Sequence, residues 1–441
     1  MTPALHLDTE PRVTELSNGV RVVALPLPHL DSASVSVFVR TGSCHEHLSG
    51  SGISHVVEHM AFKGTHTRSC QRINLDAERL GAEVNAHTDK DHTAYHMRGL
   101  ARDAGAFVRM LADIVRNGSF PEAELERERQ VILQELAEDD DDAFSAAYRL
   151  FDRLCYGSHP LARPVIGLRR NIERFTRDEL LAYVRHQYSG VNLVVAAAGR
   201  IDPEAVVREA EAAFGDMPRG TENRIAPPAW HGGFAVRRMA GVSQSHVLLG
   251  YPAAPFTEDG HHAVVVASAL FGEGMSSPLL DEIRERRGLA YYVACSTDLN
   301  EWAGQFVIEA SMGPENVEAF ADEVLRLLRA QAEAIEPVAL ERARNQIAVR
   351  RVHVRERPYR RLEEAALDLF ALGRVRTQAE RLERMMAVSA RELREVFAGM
   401  MGDPLAVSVA GKVRAPAQAH LKSLTQAPAS NPSVASMESS R

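Results

Sequence analysis

Long apolar runs are missing from this sequence of 441 residues. Its longest apolar stretches, at 192–198 and 263–271, are far shorter than the roughly 20 residues that a membrane-spanning helix needs. The segment 1–11 lacks the basic region and the apolar region of a secretory signal, so we expect no export and no membrane insertion. The net charge is −8, and the lysines and arginines are scattered along the chain. This distribution argues against a nucleic-acid-binding surface.

Cysteine is scarce as well. The chain has only four cysteines, none of them in a C-x-x-C pair: Cys44, Cys70, Cys155 and Cys295. Such spacing favours neither a disulfide framework nor a zinc knuckle. We interpret the four side chains as reduced, small buried groups, and we expect a cytoplasmic protein.

What the chain does contain is the composition of a globular protein, with 45% hydrophobic and 25% charged residues. A chain of this length exceeds what one ordinary hydrophobic core accommodates, so the sequence predicts two domains or more.

The order of predicted elements restarts near the middle of the chain. Strands and helices alternate up to about residue 217, a stretch rich in proline and glycine follows, and a similar order of strands and helices then begins again. We therefore predict an α+β fold with two homologous halves, each an antiparallel sheet with helices packed on one face. The predicted boundaries are an N-terminal domain at 1–217, a linker at 218–232, a C-terminal domain at 233–412 and a disordered tail at 413–441.

The segment His55-Val56-Val57-Glu58-His59 has the pattern H-x-x-E-H and lies in a predicted short helix at about 53–62. Residues spaced by three or four positions share one face of a helix, so both imidazoles can bind one metal ion with Glu58 beside them. This pattern is the inverted form of the H-E-x-x-H zinc motif. A catalytic zinc site requires three protein ligands and one open position, so a third ligand must come from elsewhere in the chain.

A long charged helix, predicted to begin at Glu122 and to end near the acidic run 139–142, offers candidates for the third ligand. Glu128 and Glu135 lie two helical turns apart on one face of this helix. Either carboxylate can complete a metal site, and the alternative is that both are solvated surface glutamates.

At this point the sequence resembles the pitrilysin and insulysin family of zinc peptidases, in particular its single-length bacterial members and the β subunit of mitochondrial processing peptidase. The resemblance extends from about residue 15 to residue 411. The motifs that carry it are His55–His59 with the downstream Glu135, Gly42-Ser43 with Glu46, Gly81–Ala86 with Thr93 and Tyr95, Gly157–Leu161, and Gly272–Ser277 followed by Glu282–Tyr291.

The resemblance implies a role for each of five residues near the zinc motif. His55, His59 and Glu135 would be the ligands of Zn²⁺. Glu58 would activate the water bound to zinc and later transfer its proton, and Glu128 would be a supporting carboxylate.

The same resemblance implies residues that bind the substrate. Asn85 and Ala86 would lie on an edge strand to which a peptide adds as a further strand. Arg284 and Tyr291, in the second half, would stabilise the oxyanion that forms at the substrate carbonyl. Three further histidines near this strand, His87, His92 and His96, stay unassigned.

In the resembling family, a chain of this length forms half of a clamshell, and two chains enclose a chamber for unfolded peptides. We therefore expect a zinc endopeptidase that acts as a homodimer or as a heterodimer with a related chain. Two alternatives stay open at this point. One is a non-catalytic or partner-dependent subunit of a processing-peptidase-like complex, and the other is a zinc hydrolase that acts on something other than a peptide.

Overall fold

The structure is a computed structural model that describes residues 10–426. The strands are β1 (Arg12–Glu15), β2 (Arg21–Pro26), β3 (Ser32–Val39), β4 (Glu83–Thr88), β5 (Thr93–Leu100), β6 (Leu193–Gly199), β7 (Gly233–Arg238), β8 (Ser245–Ala253), β9 (Tyr292–Leu299), β10 (Gly304–Met312) and β11 (Ala406–Gly411). The helices are α1 (Ile53–Ala61), α2 (Cys70–Arg79), α3 (Ala104–Arg116), α4 (Glu122–Asp141), α5 (Ala143–Tyr156), α6 (Arg169–Ile172), α7 (Arg177–Gln187), α8 (Pro203–Phe214), α9 (His261–Gly272), α10 (Pro278–Leu280), α11 (Val317–Glu333), α12 (Pro337–Arg355), α13 (Pro358–Leu372), α14 (Gln378–Ala387), α15 (Ala390–Gly402) and α16 (Ala415–Leu424). A π-helical turn at Asp281–Arg286 follows α10, and no helix among these is long and apolar enough to cross a membrane.

The chain forms two compact units, each assembled from three separate segments. Within the described residues, the first unit takes 10–140, His159–Pro227 and Ile347–Ala387. The second unit takes Asp141–Ser158, Pro228–Gln346 and 388–426. Each unit therefore contains one segment from the other half of the sequence.

Each unit is built on one sheet, and the two sheets share one strand order. The first sheet has the order β1-β2-β6-β3-β5-β4, and the second has the order β7-β11-β8-β10-β9. If β2 to β6 are matched in sequence to β7 to β11, the two orders are identical apart from the extra strand β1. The prediction of an α+β fold with two similar halves is confirmed.

Both sheets contain one parallel pair of strands, so the prediction of purely antiparallel sheets was wrong in this detail. Strands β2 and β6 pair in parallel, as do β7 and β11, whereas the other neighbours are antiparallel. In each pair the two strands are separated by most of one half of the sequence. A connection of that length allows the crossover that parallel pairing requires.

Helices cover both faces of the first sheet, so the prediction of helices on one face only was also wrong. Alternate residues of its central strands face a large core with α1, α3 and α8, and the others face α13. Strand β6 is consequently buried along its whole length. The smaller core on the α13 side contains Val23, Leu25, Phe38, Ala94, Val194, Ala196, Ala198, Leu362, Ala365, Ala366, Leu369 and Phe370.

In the second unit, α5 covers one face of its sheet. Ser408 Oγ donates to the Ala147 carbonyl at 2.8 Å, and Gln305 Nε2 donates to Asp152 at 3.2 Å. The opposite face packs on helices through Phe306, which lies 6.3 Å from the rings of both Phe271 and Phe397. Helices α5 and α13 thus each come from one half of the sequence and pack on the sheet of the other half.

The prediction of a disordered tail at 413–441 was wrong for residues 415–424. This segment forms α16, in which Ala417 and Leu421 are buried. Two apolar residues four positions apart form one apolar face of the helix, and this face packs. The prediction rested on the proline- and serine-rich composition and missed this spacing. Residues 427–441 lie outside the described part of the chain.

Candidate metal centre and active site

Helix α1 carries the H-x-x-E-H motif on the side that does not enter the core. Its buried side includes Val56, Val57 and Met60, all at most 1% exposed. The intervening positions place the two histidines and the glutamate of the motif together on the opposite, half-buried side. The sequence therefore positions the motif by burying the apolar residues between its polar ones.

The start of α1 is held by a buried carboxyl group. The two oxygens of Glu46 accept hydrogen bonds from the backbone N–H groups of Gly52 and Ser54, each at 2.8 Å. Gly52 has φ +101°, and a Cβ there would lie 2.9 Å from the Cα of Gly167. Only glycine fits at this position, because both the backbone conformation and the close approach exclude a side chain. Glu46 and Gly52 together fix the direction of the helix that carries the motif.

Helix α4 brings the third candidate ligand to α1. Leu125, Ile132 and Leu136 bury one side of this helix. Glu128 lies on that same side, with a side chain 11% exposed, whereas the side chain of Glu135 is 40% exposed. The two glutamates therefore occupy different environments although they are two turns apart.

His55, His59 and Glu135 converge on one point. The Oε2 atom of Glu135 lies 3.9 Å from Nε2 of His55 and 3.6 Å from Nε2 of His59. Ligand atoms around a tetrahedral zinc ion lie about 3.4 Å apart, so a small side-chain rotation brings these three atoms into range. The geometry and the donor types fit Zn²⁺.

The protonation of His55 also suits a metal ligand. Burial, followed by the neighbouring charge of His59, lowers the pKa of His55 to about 4. The imidazole is then neutral at pH 7 and keeps the lone pair that a metal needs. Its Nδ1 atom is buried and has no hydrogen-bond partner in the described structure.

Glu58 is positioned as a base beside these three residues. Its Oε2 atom accepts a hydrogen bond from Thr88 Oγ1 at 2.7 Å. Burial raises the pKa of the Glu58 carboxyl, although the hydrogen bond from Thr88 acts in the opposite direction. One oxygen is thus anchored by Thr88, which leaves the other available for proton transfer.

Glu128 contacts a candidate ligand from behind. Its Oε2 atom lies 3.2 Å from Nδ1 of His59, and its Oε1 atom lies 2.6 Å from Nζ of Lys63. A carboxylate on the second nitrogen of a ligating histidine fixes the ring orientation and the tautomer that presents Nε2.

Asn85 and Ala86 lie on β4, which is the edge strand of the first sheet. The backbone N–H of Ala86 donates to the side-chain oxygen of Asn85 at 2.8 Å. Among the described residues β4 pairs with β5 alone, so it offers an unpaired strand edge beside the helix of the motif.

Arg284 and Tyr291 belong to the second unit. Arg284 lies in the π-helical turn and is about half exposed, at 48%. Tyr291 directly precedes β9 and is 83% exposed, unusually high for an aromatic side chain. Both side chains are accessible to a ligand.

Thr88 and Lys63 are two site residues whose contacts were not foreseen. Thr88 follows the edge-strand motif by two positions, so the alternation of strand side chains puts it on the same face as Ala86. That pattern is a usable signal for a residue that faces the motif. Lys63 carries no such signal, because its contact depends on where α4 lies.

Comparisons with known proteins identify the family to which this chain is similar. A family model described as insulinase (peptidase family M16) matches residues 21–168, and one described as peptidase M16 inactive domain matches residues 174–347. A relative from Rickettsia bellii, named an uncharacterized zinc protease, is 31% identical over 382 residues, which is 86% of this chain and 92% of the relative. A relative of the same description from Mycobacterium bovis is 36% identical over 334 residues, 75% of each chain.

Solved structures share the fold at lower sequence identity. A protease from Helicobacter pylori superposes with a TM-score of 0.83 at 22% identity, covering 91% of this chain and 99% of its own. A chain of complex III2 from Candida albicans superposes with a TM-score of 0.82 at 16% identity, covering 93% of this chain and 99% of its own. From the motif, the repeated fold and the two relatives, the chain belongs to the M16, or insulinase, family of peptidases.

Proposed function

We propose that this chain is a zinc-dependent endopeptidase that hydrolyses unstructured peptides or a peptide precursor. The observation that carries the proposal is the convergence of His55, His59 and Glu135 beside the carboxylate of Glu58. Membership of the M16 family and the zinc-protease names of the relatives support it.

The chemistry divides between a metal and a base. A zinc ion, when bound, supplies a Lewis acid that polarises the scissile carbonyl and makes water nucleophilic near neutral pH. Glu58 takes a proton from the attacking water and delivers it to the leaving amine. Its raised pKa suits both directions of this transfer, and Thr88 holds the carboxylate in place. Glu128 orients His59 from behind the site.

The substrate would bind as an added strand along β4, where Asn85 and Ala86 provide backbone contacts. An unpaired edge recognises an extended peptide through its main chain, so the peptide must be unfolded over several residues. Arg284 and Tyr291 would donate hydrogen bonds to the carbonyl oxygen as it gains charge. Their exposure supports this assignment.

We further propose that two chains enclose the reaction in a chamber, as a homodimer or as a heterodimer with a related chain. The M16 family membership supports this arrangement. The few, widely spaced cysteines support a cytoplasmic location.

A non-catalytic or partner-dependent subunit is the second candidate function. It is favoured by the match of residues 174–347 to a family model described as an inactive domain. These residues contain no H-x-x-E-H motif. The first half of this same chain retains both histidines, Glu58 and Glu135, which favours catalysis.

Cleavage of a mixture of unstructured peptides, followed by mass spectrometry, tests the proposal. We expect the zinc-loaded wild type to cleave, and Glu58→Gln to be slower by about 10²–10⁴-fold with unchanged metal content. Glu78→Gln, the same change at an exposed position on α2, is the control and should cleave normally. A fully active Glu58→Gln would contradict the role of Glu58. A metal-loaded but inactive wild type would favour the partner-dependent subunit, and a wild type that binds no metal would overturn the zinc site.

A further inference from the structure

A second group of potential metal ligands lies on the other face of the first sheet. His87 is on β4, His92 is in the turn between β4 and β5, and Glu363 is on α13. His87 immediately precedes Thr88, whose side chain points towards Glu58. Successive strand residues point to opposite faces, so His87 points away from the H-x-x-E-H motif. This group shares no residue with the first metal centre.

Two of the three distances between the ligand atoms of this group match the spacing of a tetrahedral site. Nε2 of His87 lies 3.3 Å from Nε2 of His92 and 3.4 Å from Oε1 of Glu363. Nε2 of His92 lies 3.9 Å from the same oxygen. Ligand atoms around a tetrahedral zinc ion lie about 3.4 Å apart, so the group needs little rearrangement.

Hydrogen bonds on the far side of His92 and Glu363 leave Nε2 of His92 and Oε1 of Glu363 available to a cation. Nδ1 of His92 lies 2.6 Å from Oδ1 of Asp91, which places a proton on Nδ1 and a lone pair on Nε2. Oε2 of Glu363 accepts from Arg360 at 2.7 Å, which leaves Oε1 turned towards the histidines. A carboxylate behind a ligating histidine is typical of metal sites.

The surroundings of the group restrict both its exposure and the choice of metal. His92 is 2% exposed, and the Tyr359 hydroxyl lies 3.1 Å from Nδ1 of His87. The two Nε2 atoms and the carboxylate oxygen that face one another need a proton or a metal ion between them. Two imidazoles and one carboxylate select a first-row transition metal over Ca²⁺ or Mg²⁺, which prefer oxygen ligands.

We propose that His87, His92 and Glu363 bind a second divalent transition-metal ion, with Zn²⁺ as the probe. The ion joins the turn after the edge strand to α13. Within residues 10–426 β4 pairs with one strand, so such a link fixes the end of the strand that carries Thr88 and faces the proposed substrate.

Metal stoichiometry tests this site independently of the first. Purified chain is stripped with a chelator, titrated with Zn²⁺ by calorimetry and analysed by elemental mass spectrometry. We expect two ions per wild-type chain, one in His92→Ala, one in Glu363→Gln and one in the His55→Ala/His59→Ala double variant. Combining His92→Ala with that double variant should abolish binding.

His96→Ala is the matched control. Its imidazole lies beside the group, 6.0 Å from the ring of His87, but is not one of the three ligands, so this variant should still bind two ions. Circular dichroism of each variant identifies those that fail to fold. Glu363→Gln keeps the side-chain size, so it removes a ligand of the site with little risk of misfolding. In the His55→Ala/His59→Ala variant, Co²⁺ should give the absorption bands of a tetrahedral ion.

The outcomes separate the two metal sites. One ion per wild-type chain, with none in the folded His55→Ala/His59→Ala variant, would overturn the second site and leave the proposed peptidase intact. One ion that is lost with His92 and kept without His55 and His59 would overturn the first site instead. If a shared proton occupies the group in place of a metal ion, the wild type and His92→Ala will bind the same number of ions. That result would also overturn the second site.

Discussion

Glu128 is a nearly buried carboxylate whose two oxygens are divided between His59 and Lys63. In Glu128→Gln, the amide presents one weaker acceptor in place of two charged oxygens, so the orientation of His59 is less restrained. We expect the affinity for Zn²⁺ at the first centre to fall by about 10–100-fold. Competition with a chromophoric chelator measures this affinity. Glu126→Gln, on the exposed side of the same helix, should not change it, and an equal loss in both variants would contradict a positioning role.

Glu46 makes the free energy of unfolding depend on pH. Burial raises its pKa from 4.5 to about 7, despite hydrogen bonds from Ser54 and Gly52. The folded state therefore holds this proton more tightly than the unfolded state. The stability that results is present below pH 4.5 and is lost as the pH rises towards 7, by at most about 3 kcal/mol.

Urea unfolding of the chelator-stripped protein between pH 4.5 and 8 measures this effect. The reference is Glu46→Gln, which cannot ionise. We expect the stability of the wild type relative to this variant to fall as the pH rises. A difference that stays constant would mean that folding does not raise the pKa of Glu46, and one that grows with pH would mean that the helix N-terminus outweighs burial.

Single residues of the candidate site were predictable where a motif fixed their spacing. His55, Glu58 and His59 follow from the helical period alone. The capping role of Glu46 was not predictable from the residues, because it depends on a loop that folds back over six positions to the start of α1. The second group, His87, His92 and Glu363, was still less accessible, since its third member lies on a helix of the other half of the sequence.

At the scale of elements, α13 is the helix whose packing has the most direct consequence for stability. Leu362 is fully buried against the first sheet. We expect Leu362→Ala to lower the free energy of unfolding by about 2–5 kcal/mol, because it removes buried methyl groups and leaves a cavity. Leu75→Ala, the same change at a residue that is 46% exposed on α2, should change it by less than about 0.5 kcal/mol. Denaturant titration of both variants checks this, and similar losses would contradict the burial of α13.

Strands and helices were predictable from the sequence where a local run of apolar residues indicated them. The apolar run at 192–198 has the length and composition of a buried strand, and β6 occupies most of it with both faces covered. The sequence did not indicate which helix covers the second face, because α13 lies far along the chain and its apolar face is compatible with several partners. The sheet on which each of the helices α5 and α13 packs was therefore not predictable from the sequence.

At the scale of the molecule, the repeated order of elements was enough to predict two similar halves. It was not enough to predict that each unit takes a segment from the other half. The repeat concerns the order of strands, which is local information, whereas the exchange of α5 and α13 is a choice between two similar sheets. Two sheets of the same strand order offer similar surfaces, so the periodicity of either helix cannot distinguish them.

The interleaving of the units predicts that the chain cannot be divided at the linker predicted at 218–232. A fragment of residues 1–227 lacks α13, so the apolar face formed by Val23, Leu25, Phe38 and Val194 would be exposed. Exposed apolar surface of that kind favours aggregation, and we expect the fragment to be insoluble or to lack a cooperative unfolding transition.

Co-expression with the fragment 228–441 supplies α13 and should restore a soluble complex with the metal content of the intact chain. Size-exclusion chromatography and thermal unfolding distinguish the two cases. A matched control carries the same cut and, in the second fragment, Leu362→Asp, which places a charge in the apolar core around α13 and should prevent rescue. If residues 1–227 alone were monodisperse and unfolded cooperatively, the first unit would be independent of its third segment, and the exchange of helices would contribute little to its stability.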